Sequence, residues 1–273
     1  MDMQGQKASV QTSLQAIALK AEMQPGYRFQ NLFGMLNEEL LQDSWRYIRK
    51  DAASGIDRVS AEDYEQNLEE NIHLLVEGLK QKRYRAKLVR RRYIPKGNGK
   101  FRPLGIPATQ DKLLQLAVKR ILEAIYEQDF LRCSYGYRPN VGALDAVDKL
   151  TVKLQFGKYN YVVEADIKGF FDHLDHDWLL KMLAERIDDK ALLWLIKKWL
   201  KAGVLDTDGK VLRPETGSIQ GGIISPILAN VYLHNVLDVW FQKVVLPHCS
   251  GKAFLIRFAD DCVPRRLLEK GGD

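Results

Sequence analysis

Two short apolar runs that each end in aspartate constrain this chain more than any other feature. Residues 161–167 read YVVEADI and residues 254–261 read FLIRFADD. Both have the length and the β-branched or aromatic content of strands, and the first looks like a strand of the buried type. Each ends in carboxylates, Asp166 in one and Asp260 with Asp261 in the other. Taken singly, an aspartate in such a place is an ordinary turn residue or helix cap. Side by side, two such strand ends would converge on divalent cations, for which hard oxygen ligands suit Mg2+. A pair of these ions about 4 Å apart can activate an attacking hydroxyl and stabilise a leaving pyrophosphate.

Around these runs the pattern is mostly helical. Leu32, Met35, Leu36, Leu40 and Leu41 form one apolar stripe, and Leu68, Ile72, Leu75, Val76 and Leu79 form another, so the first 80 residues read as helices. Ser60, three residues before Asp63, predicts a capped helix start after a loop. Leu114, Ala117, Val118, Ile121, Leu122 and Ile125 mark a strong amphipathic helix, and SYGYRPN at 134–140 an aromatic turn before another. Two further helices, WLLKMLAERI and ALLWLIKKWLKAG, follow, with Gly203 predicted to cap the second. GSIQGGIISP opens a long helix running through LANVYLHNVLDVWFQKVV. Trp178, Trp194, Trp199 and Trp240 fall on apolar helical faces and are expected in the core. The tight spacing of DHLDHDWLL makes His173 and His176 parts of a turn and helix start rather than metal ligands.

With 273 residues, 46% of them apolar, the chain can bury a core without staples. No run approaches the roughly 18 apolar residues of a membrane span, and the N-terminus lacks a signal-peptide core, so a soluble cytoplasmic protein with no membrane partner is expected. Cys133, Cys249 and Cys262 are too few and too scattered for a disulfide framework or a thiolate zinc site.

The net charge of +6 is concentrated in one place. Lys82, Arg83, Arg85, Lys87, Arg90, Arg91, Arg92, Lys96, Lys100 and Arg102 occur with no intervening acid, whereas the remaining chain carries 31 basic against 35 acidic residues. Tyr84, Tyr93 and Phe101 add faces on which bases can stack, so this segment, with Arg90, Arg91 and Arg92 as its RNA-binding candidates, reads either as a surface for nucleic acid or nucleotide or, as readily on charge alone, as a solvated strand or a membrane-surface patch. Two β-biased runs flank Gly97-Asn98-Gly99, predicting a hairpin that holds Lys96 and Arg102 on a stiff arm. The GNGK string lacks the spacing of a phosphate-binding P-loop.

Five blocks in order, YIPKGNGKFRPLGIP, SYGYRPN, VEADIKGFFDHLDHDWL, GSIQGGIISPILANVYLH and FLIRFADD, resemble the fingers and palm of bacterial group II intron-encoded reverse transcriptases of the maturase type. Residues from about 27 to 92 resemble that family's N-terminal extension. The resemblance implies an α+β right-hand polymerase: a helical extension of the fingers at 1–80, fingers with a basic β-hairpin at 81–160, and a palm with an antiparallel sheet at 161–273. It implies an RNA-directed DNA polymerase that uses Mg2+, with Mn2+ as a substitute. Its partners would be group II intron RNA, an RNA template with a DNA primer, and deoxynucleoside triphosphates, in a bacterial ribonucleoprotein; a homodimer is compatible with this.

By the same resemblance, Asp166, Asp260 and Asp261 are the catalytic metal ligands, aided by the backbone carbonyl of Ile167. Lys96 and Arg102 would contact the triphosphate, and Gln220 and Gly221 the loop beside the nascent base pair. Phe171 would be the aromatic gate under the sugar that leaves no room for a 2′-hydroxyl, which argues against an RNA-templated RNA polymerase. Tyr135 and Arg138 would contact the template. Phe258 stands where the family often has Tyr. The sequence ends 12 residues after Asp261, before any thumb, and Pro264 leaves only Cys262-Val263 as a return strand. A truncated fragment with weak or no polymerase activity is therefore expected. The alternative reading is a non-catalytic module that binds intron RNA.

Overall fold

The stripe from Leu68 to Leu79 becomes one helix, but the stripe from Leu32 to Leu41 does not. Phe33–Met35 form a single 3-10 turn and the α-helix begins at Glu38, after its Asn37 cap, so Leu32, Met35 and Leu36 lie ahead of it. The aspartate-terminated runs become neighbours in one sheet. The computed structural model describes residues 3–97, 99–157, 159 and 161–266. In chain order these form α1 (Met3–Met23), α2 (Glu38–Trp45), α3 (Ala61–Gln66), α4 (Leu68–Lys80), β1 (Val89–Lys96), β2 (Lys100–Ile106), α5 (Thr109–Tyr126) and α6 (Ala143–Phe156). There follow β3 (Tyr161–Val162), β4 (Ala165–Asp166), α7 (His176–Ala184), α8 (Lys190–Leu200), β5 (Val204–Leu205), β6 (Val211–Leu212), α9 (Ser225–Leu233), β7 (Ala253–Phe258) and β8 (Asp261–Arg266). They gather into two compact units, one of the residues up to 128 with 171–225, the other of 129–170 with those from 226 onward.

In the first unit α5 is the central post. Leu113, Leu114, Ala117, Val118, Ile121, Leu122 and Ile125 are wholly buried, each such larger side chain contributing about 1.5–3 kcal/mol. The Ser60–Asp63 capping box starts α3 as the sequence predicts. The basic hairpin forms with Lys96 opposite Lys100, leaving a three-residue turn in which Gly99 takes φ +70°; Asn98, predicted to shape that turn, lies outside the described residues. The strand order is β2-β1-β5-β6. The sequence reading missed β5 and β6, because two-residue strands are too short to show a period. Gly203 does not cap α8, which ends at Leu200 with Lys201 as its cap. Its carbonyl instead accepts from the Val89 amide, and a side chain there would meet Leu88 and Val211.

The second unit carries the other sheet, where β8 pairs with β7 on one side and with β3 and β4 on the other. The expectation of a two-residue return strand is wrong: β8 runs six residues, in register with β7 from Phe258↔Asp261 to Ala253↔Arg266. Counting out from the two-residue turn, Pro264 falls at a non-hydrogen-bonded pair with Leu255, so its missing N–H faces away from β7. It faces the side where β3 and β4, which keep one register, are interrupted at Val163 and Glu164. One proline thus breaks the YVVEAD strand's ladder without ending the hairpin. That strand is also not buried: Val162 and Val163 are 54% and 55% exposed, because it pairs only with β8 among the described residues. The long helix after GSIQGGIISP is not uniform either, since α9 gives way to wider π turns at His234–Asp238 and Phe241–Val245. Trp199 is buried as expected, but Trp178, Trp194 and Trp240 are exposed. Amphipathic spacing places a residue on a face; it does not say how far that face is covered.

Candidate active site

Asp166 and Asp261 are direct partners in the antiparallel pairing of β4 with β8. Opposed residues point to the same face of a sheet, with Cβ atoms about 4.5–5.5 Å apart. Asp260 shares the β7–β8 turn with Ala259, so three carboxylates gather at one end of the sheet. Asp166 and Asp261 are exposed and Asp260 half-buried. Among the described residues no three His, Cys, Asp or Glu side chains are drawn together into a ready-made metal site. Like charges directly opposite one another repel, so this end of the sheet favours a cation, and its all-oxygen donors fit a hard divalent ion. The Ile167 carbonyl accepts from the Phe170 amide at 3.2 Å, which leaves its second lone pair.

The turn that presents Asp260 is strained and tightly packed. Ala259 takes φ +56°, a left-handed conformation that costs about 1 kcal/mol or more outside glycine. Gly136 lies against it, where an added Cβ would come within 3.0 Å of the Ala259 Cα. Tyr135 packs with Ala146, Phe254 and Ile256, and Arg138 donates to the carbonyls of Ser134 at 2.8 Å and Leu131 at 3.2 Å. In this structure the guanidinium of Arg138 thus braces its own turn. Cys262 is a buried strand residue, and burial raises its thiol pKa, as it does for Cys133, which is pushed up to about 12.

In the first unit, hairpin register sorts the cations. Arg90, Arg92, Lys96, Lys100 and Arg102 share one face; Arg91 lies on the other with Tyr93 and Phe101. Lys96 directly opposite Lys100 is the mirror of the opposed aspartates, a like-charge pair that an anion relieves. Tyr93 turns away from this face and donates to Asp206 at 3.1 Å. The root of the arm is pinned by a carboxylate that sequence reasoning missed. Asp111 accepts from the Tyr84 hydroxyl at 2.7 Å and the Lys87 amide at 3.0 Å, while burial raises its pKa.

Gln220 and Gly221 are laid against β2. The Gln220 carbonyl accepts from the Gly105 amide at 2.7 Å, and a Cβ on Gly221, at φ +100°, would sit 2.8 Å from the Gly105 carbonyl oxygen. The same loop, three residues upstream, clasps the Phe171 segment. The Phe171 carbonyl accepts from the Ser218 amide at 2.7 Å, and the Leu174 carbonyl from the Gly217 amide at 2.7 Å. His176 is buried, with Nε2 donating to the Gly217 carbonyl at 2.6 Å. Arg102, Gln220, Gly221 and Phe171, scattered over 120 positions of sequence, are thus joined by short backbone links within one unit.

Residues 94–264 match the family model described as reverse transcriptase (RNA-dependent DNA polymerase), more than half of the chain, and the chain belongs to that family. Within it, the resemblance is to the group II intron-encoded kind. It is 45% identical over 169 residues to the group II intron-encoded protein LtrA of Lactococcus lactis subsp. cremoris, covering 62% of this chain and 28% of LtrA. It is 35% identical over 246 residues to protein YkfC of Escherichia coli strain K12, covering 87% of this chain and 63% of YkfC. A telomerase structure from Candida albicans has the same fold, with a TM-score of 0.50 at 15% identity over 84% of this chain and 47% of that one. The chain spans little over a quarter of LtrA and under two-thirds of YkfC. Among the described residues no helix is long and apolar enough to cross a membrane.

Proposed function

We propose that this chain is the fingers-and-palm region of a group II intron reverse transcriptase, which extends a DNA primer on an RNA template. The observation that carries this reading is the register that sets Asp166 opposite Asp261 with Asp260 in the adjoining turn. These carboxylates would hold Mg2+, or Mn2+ in its place. When bound, the ions supply activation of the primer hydroxyl and neutralisation of the leaving pyrophosphate. Lys96 and Arg102, on the cationic hairpin face, bind and orient the triphosphate of the deoxynucleotide, and the forked Arg102 fits phosphate oxygens bidentately. Phe171 excludes the ribose 2′-hydroxyl by size, and Gln220 with Gly221 lines the base pair being formed. Arg90 and Arg92 grip intron or template RNA, as would Tyr135 and Arg138 on the template side, within a cytoplasmic ribonucleoprotein.

The cationic face also supports a second reading, RNA binding for splicing without polymerisation. Incorporation of single nucleotides on an RNA template separates the two. The polymerase reading expects Mg2+-dependent addition of deoxynucleotides in preference to ribonucleotides, and Phe171→Ala to shrink that preference about tenfold or more. An unchanged ratio in an active, folded variant removes Phe171 from the gate; RNA binding with no incorporation under any divalent ion favours the second reading.

A further inference from the structure

Arg257 is a charged residue inside the apolar run FLIRFADD, and its side chain is 0% exposed. All five of its side-chain N–H donors are engaged. Nε and Nη2 hold both oxygens of the equally buried Asp238 at 2.8 and 2.7 Å. Nη2 also donates to the Ser134 hydroxyl at 2.7 Å, and Nη1 to Asn230 Oδ1 at 3.1 Å and to the Ala259 carbonyl at 3.0 Å. Asn230 in turn donates to the Gly136 carbonyl at 2.8 Å, the same glycine that abuts Ala259. The main chain of Arg257 is tied as well, to the Cys133 carbonyl at 2.7 Å and the Tyr135 amide at 2.9 Å. Asp238 closes the first π turn beyond α9. That wider turn sets the phase of the helix so that Asn230 and Asp238 both meet the guanidinium.

A buried ion pair is a poor device for stability alone, since a packed apolar pair of similar volume serves as well or better. What an apolar pair cannot do is hold a carbonyl. We propose that Arg257, clamped by Asp238, is the positioning residue of the carboxylate turn. Its Nη1–H grips the Ala259 carbonyl, fixes the left-handed backbone there, and so sets where Asp260 and Asp261 present their oxygens to divalent ions. This rests on the divalent-ion reading above.

Mn2+ binding, titrated by electron paramagnetic resonance on the full chain alongside thermal unfolding, tests it. Arg257→Met with Asp238→Leu removes both charges together, which leaves no unpaired buried ion, but deletes the bond to Ala259 along with those to Ser134 and Asn230. The expected result is a protein still folded at the assay temperature, by its cooperative melting, with Mn2+ affinity lowered about tenfold or more, the usual effect of losing a group that orients a metal ligand. Arg257→Lys, which keeps a charge beside Asp238 but cannot span all four partners, is expected to weaken Mn2+ binding likewise and carries the test if the double variant melts early. Binding that needs Asp260, as shown by its loss in Asp260→Asn, yet is unchanged in the folded Arg257 variants overturns this inference alone. Mn2+ binding indifferent to Asp260→Asn overturns the divalent-ion reading and this inference with it.

Discussion

At Gly217 the backbone requires φ +92° while an added Cβ would sit 2.7 Å from the Phe171 carbonyl oxygen and 2.8 Å from that of Asp172. Gly217→Ala should therefore cost about 1–3 kcal/mol from the strained backbone alone, read as a lower urea midpoint, and should loosen the segment carrying Phe171. A midpoint unchanged from wild type would show that the 216–218 loop yields without penalty. Such residues mark the limit of what single positions disclose in sequence. The meeting of Asp166 with Asp261 was legible because carboxylates that are ordinary singly become informative when two strand-like runs both end in them. Arg257 left a trace, a cation at a core position of a strand, but its partners Asp238, Asn230 and Ser134 lie up to 123 residues away and nothing local points to them. His176 was legible as part of a helix start, which α7 confirms with Asp175 as its N-cap, but its bond to Gly217 was not. The exposure of Trp178, Trp194 and Trp240 could not be read, because a helix stripe carries no information about what lies opposite it.

Among the elements, the basic hairpin was the most legible, since cations, aromatics and a glycine-flanked turn all agreed. Its register adds what the sequence lacked, a division of three consecutive arginines between two faces. Arg90→Ala with Arg92→Ala should weaken RNA binding about tenfold or more and flatten the dependence of log Kd on log salt, as released counterions require. Arg91→Ala should change affinity less than about threefold at the same salt. Equal losses from both variants would mean that RNA does not select the Lys96–Arg102 face, and an unchanged slope would mean that this arm is not the RNA surface. The Leu32–Leu41 stripe is split by a 3-10 turn ahead of α2 and Gly203 does not cap α8, whereas the Ser60 cap, α4 and α5 emerged where expected. The strands did not all do so: β5 and β6 are held by pairing with distant β1 rather than by any local signal. β8 was obscured by Pro264, whose effect depends on which side of a strand its nitrogen faces, a property of pairing and not of composition.

Taken whole, the molecule distributes its proposed machinery over two compact units that the order of the chain does not separate, since each is built from two segments. The order of sequence blocks was legible as a fingers-and-palm polymerase, and the match over residues 94–264 agrees with it. The boundaries of the two units were not legible, because segments far apart in sequence close each one. With β8 six residues long, a short return strand no longer argues against an ordered carboxylate turn. For the whole molecule the proposed activity is RNA-templated DNA synthesis by the carboxylates at the end of the β4–β8–β7 sheet. It is tested most directly by primer extension on an RNA template, with Mg2+ and deoxynucleotides, comparing the protein with its Asp166→Asn and Asp260→Asn variants while measuring RNA affinity in parallel. Extension is expected to fall about a thousandfold or more in each variant, with Kd for RNA within about threefold of the parent. Extension that survives both substitutions in a protein that still binds RNA would contradict that assignment.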